Sequence, residues 1–128
     1  MTFETTVPVR YRDLDPMGHV NNAVYATYLE EIRTAFFREA VGIDLADARA
    51  ALASLDIDFR APIEGTGSVD ASLDVLDVGT SSLTFGYELR FEGRVVAEAE
   101  TVQVSLANGE PTPIPDAVRE AAERHRVE

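Results

Sequence analysis

Hydrophobic residues along the chain change their spacing near residue 22, and each pattern predicts a different kind of element. The segment from Thr5 to Tyr11 mixes β-forming residues, which predicts a first β-strand. Pro8 lacks a backbone donor and favours an edge position or the beginning of that strand. A polar segment, Arg12 to Asn21, then leads into a stretch with helical spacing.

The helical segment carries its apolar side chains on one face. Asn21 or Asn22 suits the N-cap position, and Gly42 suits the residue that follows the helix. The predicted helix is about five turns long, and its wide apolar stripe predicts packing against something as large as a sheet. The stripe consists of Tyr25, Tyr28, Leu29, Ile32 and Phe36.

Four further strands are predicted in the second half of the chain, where apolar and polar residues alternate. Glu92–Gly93 and Asn108–Gly109 are hairpin signals, and Asp116 suits the cap of a short last helix from Ala117 to Arg124. The strands are placed within 51–63, 67–79, 82–93 and 94–106.

The order of one strand, one long helix and four strands predicts an α+β fold rather than a βαβ one. The four later strands are expected to form an antiparallel meander, and the first strand completes a five-stranded sheet that packs on the helix. A single domain, 1–128, suits a chain of 128 residues of which 45% are hydrophobic. Such a sheet leaves edges, which pairing with another subunit can cover.

Composition excludes several classes of protein. The chain has no Cys, which excludes disulfides, Cys metal sites and Cys nucleophiles. No apolar run approaches the roughly 20 residues of a membrane span. The N-terminus lacks the basic and apolar regions of a signal peptide. We therefore expect a cytoplasmic protein that does not contact a membrane.

The net charge of −12 is unusual, and all 11 basic residues are Arg. An acidic surface repels phosphates, so nucleic acid binding is not expected. A high-salt cytoplasm, where the screening length falls to roughly 3 Å at 1 M, would explain this composition. A GC-rich genome that favours Arg codons would also explain it, and we prefer the first explanation, a halophilic origin.

The segment directly before the helix has the residues of a minimal acyl-transfer site. Pro16 fixes a turn after Asp15, and Gly18 permits close approach of the backbone. Free N–H groups at the helix N-terminus can stabilise negative charge that develops on a substrate oxygen. A carboxylate held beside such a pocket needs neither a metal nor a Cys.

The string DPMGHVNNAVY, from Asp15 to Tyr25, resembles the active-site segment of hotdog-fold acyl-CoA thioesterases in the 4-hydroxybenzoyl-CoA thioesterase-like branch. The resemblance extends to the strand before this string, to the helix, and to the segments DIDFRAPI and GTSSLTFGYEL. A bare D-x-x-G would carry little information, whereas the full string is fairly specific.

The resemblance implies a sheet wrapped around one long central helix, and a homodimer or homotetramer with active sites at the dimer interface. It places the catalytic carboxylate on Asp15, acting as general base on water or as nucleophile through a mixed anhydride. The donor that polarises the thioester oxygen falls near Asn22, with Gly18 in the same loop. No metal and no cofactor is implied.

Several nearby residues also have structural interpretations. Asp13 could be the working acid, but we interpret it as a turn or N-terminal structural residue. Asn21 and Asn22 are capping residues first, which does not exclude contact with substrate. His19 is expected to pack or form a hydrogen bond near the substrate rather than to carry out chemistry.

The substrate is expected to lie in two parts. An apolar slot beside the helix, lined by Val20, Tyr25 and Phe59, would hold the acyl group. Arg60 is the preferred contact for the anionic end of coenzyme A. The hydroxyls of Ser81 and Ser82 could donate to phosphate or pantetheine. His125 lies in a charged tail and is expected to be solvated.

The leading hypothesis is hydrolysis of an acyl-CoA to a carboxylic acid and coenzyme A, with a thioester on acyl carrier protein as a nearby alternative substrate. A second class is an enoyl-thioester hydratase or dehydratase, which would use a His with an acid. A third class is a non-catalytic acyl-CoA-binding domain. Release of a free thiol separates hydrolysis from the other two.

Overall fold

The computed structural model describes residues 1–127. It confirms the predicted α+β class, with one sheet wrapped around a long helix. The strands are β1 (Phe3–Val9), β2 (Ala50–Phe59), β3 (Gly67–Val78), β4 (Ser82–Phe91), β5 (Arg94–Ala107) and β6 (Glu110–Pro111), and the helices are α1 (Val24–Phe36) and α2 (Asp116–Arg124).

The sheet is antiparallel with the strand order β1-β3-β4-β5-β2, and the two-residue β6 pairs with β5. The predicted four-strand meander is therefore wrong in one place, because β2 pairs with β5 and not with β3. The segment that joins β2 to β3 instead pairs with the loop before α1, through an isolated bridge between His19 and Glu64. The strand β6 was also not predicted, because prolines interrupt the alternation there.

The long helix lies where its apolar spacing predicts. The predicted stripe, which begins at Tyr25, is at most 2% exposed. After α1 the chain continues through a π-helical turn, Phe37–Val41. Gly42 then adopts φ +92° and ends the helix, as predicted. Its N–H donates to the carbonyl of Phe37 at 2.8 Å.

The edge position of β1 is confirmed, because β1 pairs with β3 alone. Its bounds differ from the predicted Thr5 to Tyr11. The strand begins earlier, at Phe3, and ends at Val9. Tyr11 lies in a short 3₁₀ turn and is 85% exposed. Both predicted hairpin turns are present, with positive φ at Glu92 and Gly93 and at Asn108 and Gly109.

The helix α1 covers the inner face of the sheet at the central strands but leaves it open at the β2 edge. The inward side chains of β3 from Val69 to Val75 and of β4 from Leu83 to Phe91 are buried. At the β2 edge, however, Leu52, Leu55 and Phe59 are 41%, 45% and 48% exposed. One edge of this ten-residue strand is unpaired within the described chain.

The outer face of the sheet is crowded with carboxylates. Asp56 lies directly opposite Glu100, and Glu98 lies opposite both Asp58 and Glu88 on its two neighbouring strands. Like charges in such positions destabilise a sheet. Two arginines on the same face offset part of this repulsion, through the ion pairs Arg60–Glu98 at 3.0 Å and Arg90–Glu88 at 2.7 Å.

His125 corrects one expectation from the sequence. It is not solvated but buried, at the C-terminal end of α2. Its ring meets Phe3 and Phe36 edge to face, and its Nδ1 lies 2.9 Å from the carbonyl of Ala121. The charged residues around it in sequence concealed this burial, because α2 turns only one face to the core.

Candidate active site

The loop before α1 is a small hairpin closed by its own backbone. A β-turn begins at Asp15 and ends at Gly18, whose N–H donates to the Asp15 carbonyl at 2.9 Å. Pro16 occupies the second position of this turn, where its fixed φ is favoured. Gly18 has φ +80°, a conformation that favours glycine. The expected turn chemistry is therefore present.

One carboxylate oxygen of Asp15 maintains the turn and the other does not. Oδ1 accepts hydrogen bonds from the N–H groups of Met17, at 2.9 Å, and His19, at 3.1 Å. Oδ2 has no hydrogen-bond partner among residues 1–127. The structural and the chemical interpretations of Asp15 are therefore compatible, because they use different oxygen atoms.

The start of the helix leaves a free donor near this carboxylate. The predicted N-cap is wrong, because α1 has Ala23 at that position and no side chain caps it. The Oδ1 of Asn21 instead accepts the N–H of Ala23 at 2.9 Å, in the turn before the helix. The N–H of Asn22 has no acceptor within the described chain. With the helix dipole behind it, this N–H can stabilise a negative oxygen.

Asp13 holds the loop to the helix. It is only 8% exposed, and its Oδ2 accepts both the N–H of Arg10, at 2.9 Å, and the hydroxyl of Tyr28, at 2.7 Å. Its carbonyl accepts the N–H of Asn21 at 3.0 Å. The interpretation of Asp13 as a structural residue agrees with this arrangement.

A second segment, 61–65, lies against the loop. The N–H of Val20 donates to the carbonyl of Ile63 at 2.9 Å, and the N–H of Gly65 donates to the carbonyl of Gly18 at 3.1 Å. The imidazole Nε2 of His19 lies 3.4 Å from a carboxylate oxygen of Glu64. The His19 ring is thus paired with Glu64, and its backbone with Asp15.

Together these segments form a cleft of about 440 Å³. The cleft brings together most of the residues predicted for the site, and Gly18 and Asn21 flank it in the hairpin. Ala61 and Pro62 also line it, although nothing in their sequence pattern indicated this. The predicted residues that line the cleft are Asp15, His19, Val20, Asn22, Tyr25, Phe59 and Arg60.

Ser81 and Ser82 do not join the cleft within one chain. Ser82 lies opposite Val104, whereas Phe59 lies opposite Ala97. Seven residues of β5 separate these rows, about 24 Å along the strand. Arg60 reaches the cleft, but its guanidinium is also paired with Glu98.

The wall of the cleft beside α1 is aromatic. The rings of Tyr25 and Phe59 meet edge to face, with centroids 4.9 Å apart. Burial raises the pKa of the Tyr25 hydroxyl, and a hydrogen bond to the backbone of Ile63 offsets part of the rise. Phe59 is 48% exposed beside the buried ring of Tyr25, so it presents most of this aromatic surface to the cleft.

Residues 1–127 contain no group of three or more His, Cys, Asp or Glu side chains that could hold a metal ion. None of the helices in that range is both long enough and apolar enough to span a membrane.

The long helix, the sheet that wraps it and the acidic loop at the helix start define a hotdog-fold protein. The family model of the thioesterase-like superfamily matches residues 9–122. The chain therefore belongs to the thioesterase-like superfamily, and the resemblance noted in the sequence is confirmed.

Three known proteins are similar to this chain over most of its length. A thioesterase of Thermus thermophilus, solved with coenzyme A and zinc, is 34% identical; the match covers 94% of this chain and 91% of that one, with a TM-score of 0.86. The 1,4-dihydroxy-2-naphthoyl-CoA thioesterase of Synechocystis shares the fold, with a TM-score of 0.84 at 20% identity over 95% and 96% of the two chains. YsmA of Bacillus subtilis, an uncharacterized protein, is 29% identical over 84% of this chain and 76% of its own length.

Proposed function

We propose that this protein is an acyl-CoA thioesterase, which hydrolyses a thioester to a carboxylic acid and coenzyme A. The observation that carries the proposal is that one cleft contains both a carboxylate oxygen and a backbone N–H that have no hydrogen-bond partner among the described residues. The Oδ2 atom of Asp15 is free to take a proton or attack carbon, and the N–H of Asn22 is free to bind an oxyanion. The coenzyme A bound to the Thermus thermophilus relative supports the substrate class.

Asp15 can act by either of two routes. As a general base, it takes a proton from water while the water oxygen bonds to the thioester carbon; the C–S bond then breaks and the thiolate receives the proton. As a nucleophile, it forms a mixed anhydride and expels the thiolate, and water then cleaves the anhydride. In both routes the carbonyl oxygen gains negative charge, which the N–H of Asn22 and the helix dipole stabilise.

The acyl group would lie against Tyr25 and Phe59, with Val20 beside them. Arg60 at the rim would bind the anionic part of coenzyme A, and would exchange its ion pair with Glu98 for a phosphate. His19 would orient the substrate near the cleft, and Gly18 would keep the backbone of the loop close to it.

We further propose that the active unit is a homodimer, or a homotetramer built from it, in which two β2 strands pair. The support is the unpaired edge of β2 and the exposed apolar side chains on its inner face, including Leu52 and Leu55. Antiparallel pairing would reverse the second sheet. The Ser81 and Ser82 end of that copy would then lie beside the first cleft, where the hydroxyls could contact coenzyme A.

The test of the activity is thiol release from short, long and aromatic acyl-CoAs, at low and at multimolar salt. Asp15→Asn is a sharp variant, because an amide oxygen can still accept the N–H groups of Met17 and His19 while the free oxygen becomes an NH₂ group. Asp44→Asn is the matched control, since that carboxylate is exposed and does not line the cleft. We expect Asp15→Asn to lose about 100-fold or more in kcat, and the control to keep wild-type activity.

No thiol release by the folded wild type from any acyl-CoA would contradict the assignment to these substrates. Thiol release from an acyl carrier protein thioester alone would move the proposal to that substrate. Addition of water to an enoyl-CoA without thiol release would instead favour the hydratase, in which His19 with Glu64 would supply the His and the acid. Binding of an acyl-CoA without turnover would favour a binding domain.

The mass of the protein in solution tests the dimer. Light scattering after gel filtration is expected to give a dimer or a tetramer for the wild type and a smaller species for Leu55→Arg. Leu76→Arg is the control, because Leu76 is equally apolar but lies on the outer face, over Gly86. A wild-type monomer that releases thiol would contradict the interface.

A further inference from the structure

A buried hydrogen bond connects the loop of the proposed site to the second turn of the central helix. The hydroxyl of Tyr28 donates to Oδ2 of Asp13 at 2.7 Å. Tyr28 is fully buried, and Asp13 is 8% exposed. The geometry points to Asp13 and Tyr28 as positioning residues, which fix the distance between the Asp15 carboxylate and the N–H of Asn22. This inference rests on the proposed function.

Asp13 is connected to both of the groups that it would position. It precedes Asp15 by two residues, so a shift of its backbone moves the turn that holds Asp15. Its carbonyl also accepts the N–H of Asn21, which directly precedes Asn22. A movement of Asp13 would therefore change the separation of acid and donor, and not only the position of one of them.

The helix end of this connection is buried and in contact with several neighbours. Tyr28 belongs to the buried stripe of α1 and lies 6.1 Å from the ring of Tyr25, which forms the cleft wall. One turn further along, Glu31 pairs with Arg10 at 3.3 Å, and the N–H of Arg10 donates to the same Asp13 oxygen as Tyr28 does. Strand β1, the loop and α1 thus meet at one carboxylate oxygen.

A buried carboxylate requires such donors, because an ionised group removed from water is costly unless it is hydrogen-bonded. Without the Tyr28 hydroxyl, Asp13 would keep one donor and would gain from moving towards water. That movement would draw the loop away from the start of α1. A misplacement of about 1 Å near the reacting groups can cost about 100-fold in rate.

The experiment compares Tyr28→Phe and Asp13→Asn with Tyr11→Phe, which removes a hydroxyl from an exposed tyrosine in the same segment. We expect Tyr28→Phe to lower kcat about 10- to 100-fold with less than about a threefold change in KM. Asp13→Asn should retain more activity than Asp13→Ala, because an amide oxygen can still accept both hydrogen bonds. Tyr11→Phe should behave as the wild type.

Two readouts separate positioning from a general loss of structure. In the Asp15→Asn background, Tyr28→Phe should cause little further loss, because it acts through Asp15. Amide hydrogen exchange at Met17 and His19, whose N–H groups bind Asp15, should accelerate in Tyr28→Phe and not in Tyr11→Phe. Thermal unfolding establishes that each variant is folded, and Asp13→Asn carries the test if Tyr28→Phe is not.

An unchanged kcat in Tyr28→Phe, or an equal further loss in the Asp15→Asn background, would overturn the inference while leaving the thioesterase in place. If the wild type releases no thiol from any thioester, the proposed function fails by itself. The exchange data then decide: unaltered exchange at Met17 and His19 overturns the positioning role, and accelerated exchange retains it.

Discussion

Phe59, the last residue of β2, packs edge to face against Tyr25 in the first turn of α1, with ring centroids 4.9 Å apart. The pair joins the exposed edge of the sheet to the helix and closes the apolar side of the cleft. Replacing Phe59 by Ala should therefore enlarge the space for an acyl group without removing the acid or the donor.

We expect Phe59→Ala to shift the ratio of kcat/KM towards bulkier acyl-CoAs by about 10-fold or more, because a single methylene in an apolar pocket already changes discrimination by about that amount and this variant removes a whole phenyl ring. The measurement is kcat/KM for a short and an aromatic substrate. Leu76→Ala, on the outer face, should keep the wild-type ratio. A uniform loss on all substrates would mean that the ring supports the fold and does not shape the slot.

The facing carboxylates of Asp56 and Glu100 should make stability depend on salt. We expect Glu100→Gln to raise the free energy of unfolding by about 0.5 kcal/mol at low ionic strength, since it removes one like-charge pair. The gain should shrink above about 1 M KCl, where charges are screened. Glu110→Gln is the control, because Glu110 lies opposite Ala107. Urea unfolding at several salt concentrations measures both effects, and an equal gain in both variants would contradict the pairing argument.

Stability should fall at alkaline pH because of the buried tyrosines. Burial raises the pKa of Tyr25, Tyr28 and Tyr87 above the usual 10.0. Above pH 10 the unfolded chain loses these protons and the folded chain keeps them. The contribution of these tyrosines to the free energy of unfolding is therefore fully present below that pH and is lost as the pH rises. Tyr28→Phe should reduce the slope by at most about 1.4 kcal/mol per pH unit. Parallel curves for the two proteins between pH 9 and 11.5 would contradict this.

The burial of His125 predicts an unexpectedly costly substitution near the C-terminus. His125→Ala removes the edge contacts with Phe3 and Phe36, and should lower the free energy of unfolding by about 2 kcal/mol. His125→Phe keeps a ring and should lose less. Glu120→Ala, at an exposed position of α2, should be close to neutral. A neutral His125→Ala would show that the ring does not support the core.

The sequence was sufficient to predict those features that depend only on residues close to one another in the chain. Tyr25 and its stripe were predicted from helical spacing, and the loop from Asp15 to Gly18 from the residue preferences of a turn. Both depend on neighbours within about four positions, which the sequence displays directly.

Pairings between distant segments could not be predicted in this way. Nothing in the sequence near Glu64 indicates that it lies beside His19, because the bridge depends on where the segment after β2 runs. The same limitation placed β2 beside β3 instead of β5. It also left Ser81 and Ser82 in a predicted site that one chain does not assemble.

The hydrogen bonds that cross the loop before α1 have a consequence for its length. Backbone hydrogen bonds join Asn21 to Asp13 and Asp15 to His19, so the number of residues between these partners is fixed. One inserted residue would break at least one of these hydrogen bonds and would rotate Asp15 relative to the helix axis. An insertion or deletion in this loop should therefore disturb the site even where every side chain is kept. The surface turn at Asn108 and Gly109 has no such constraint from the cleft, and is the place where this chain could gain residues.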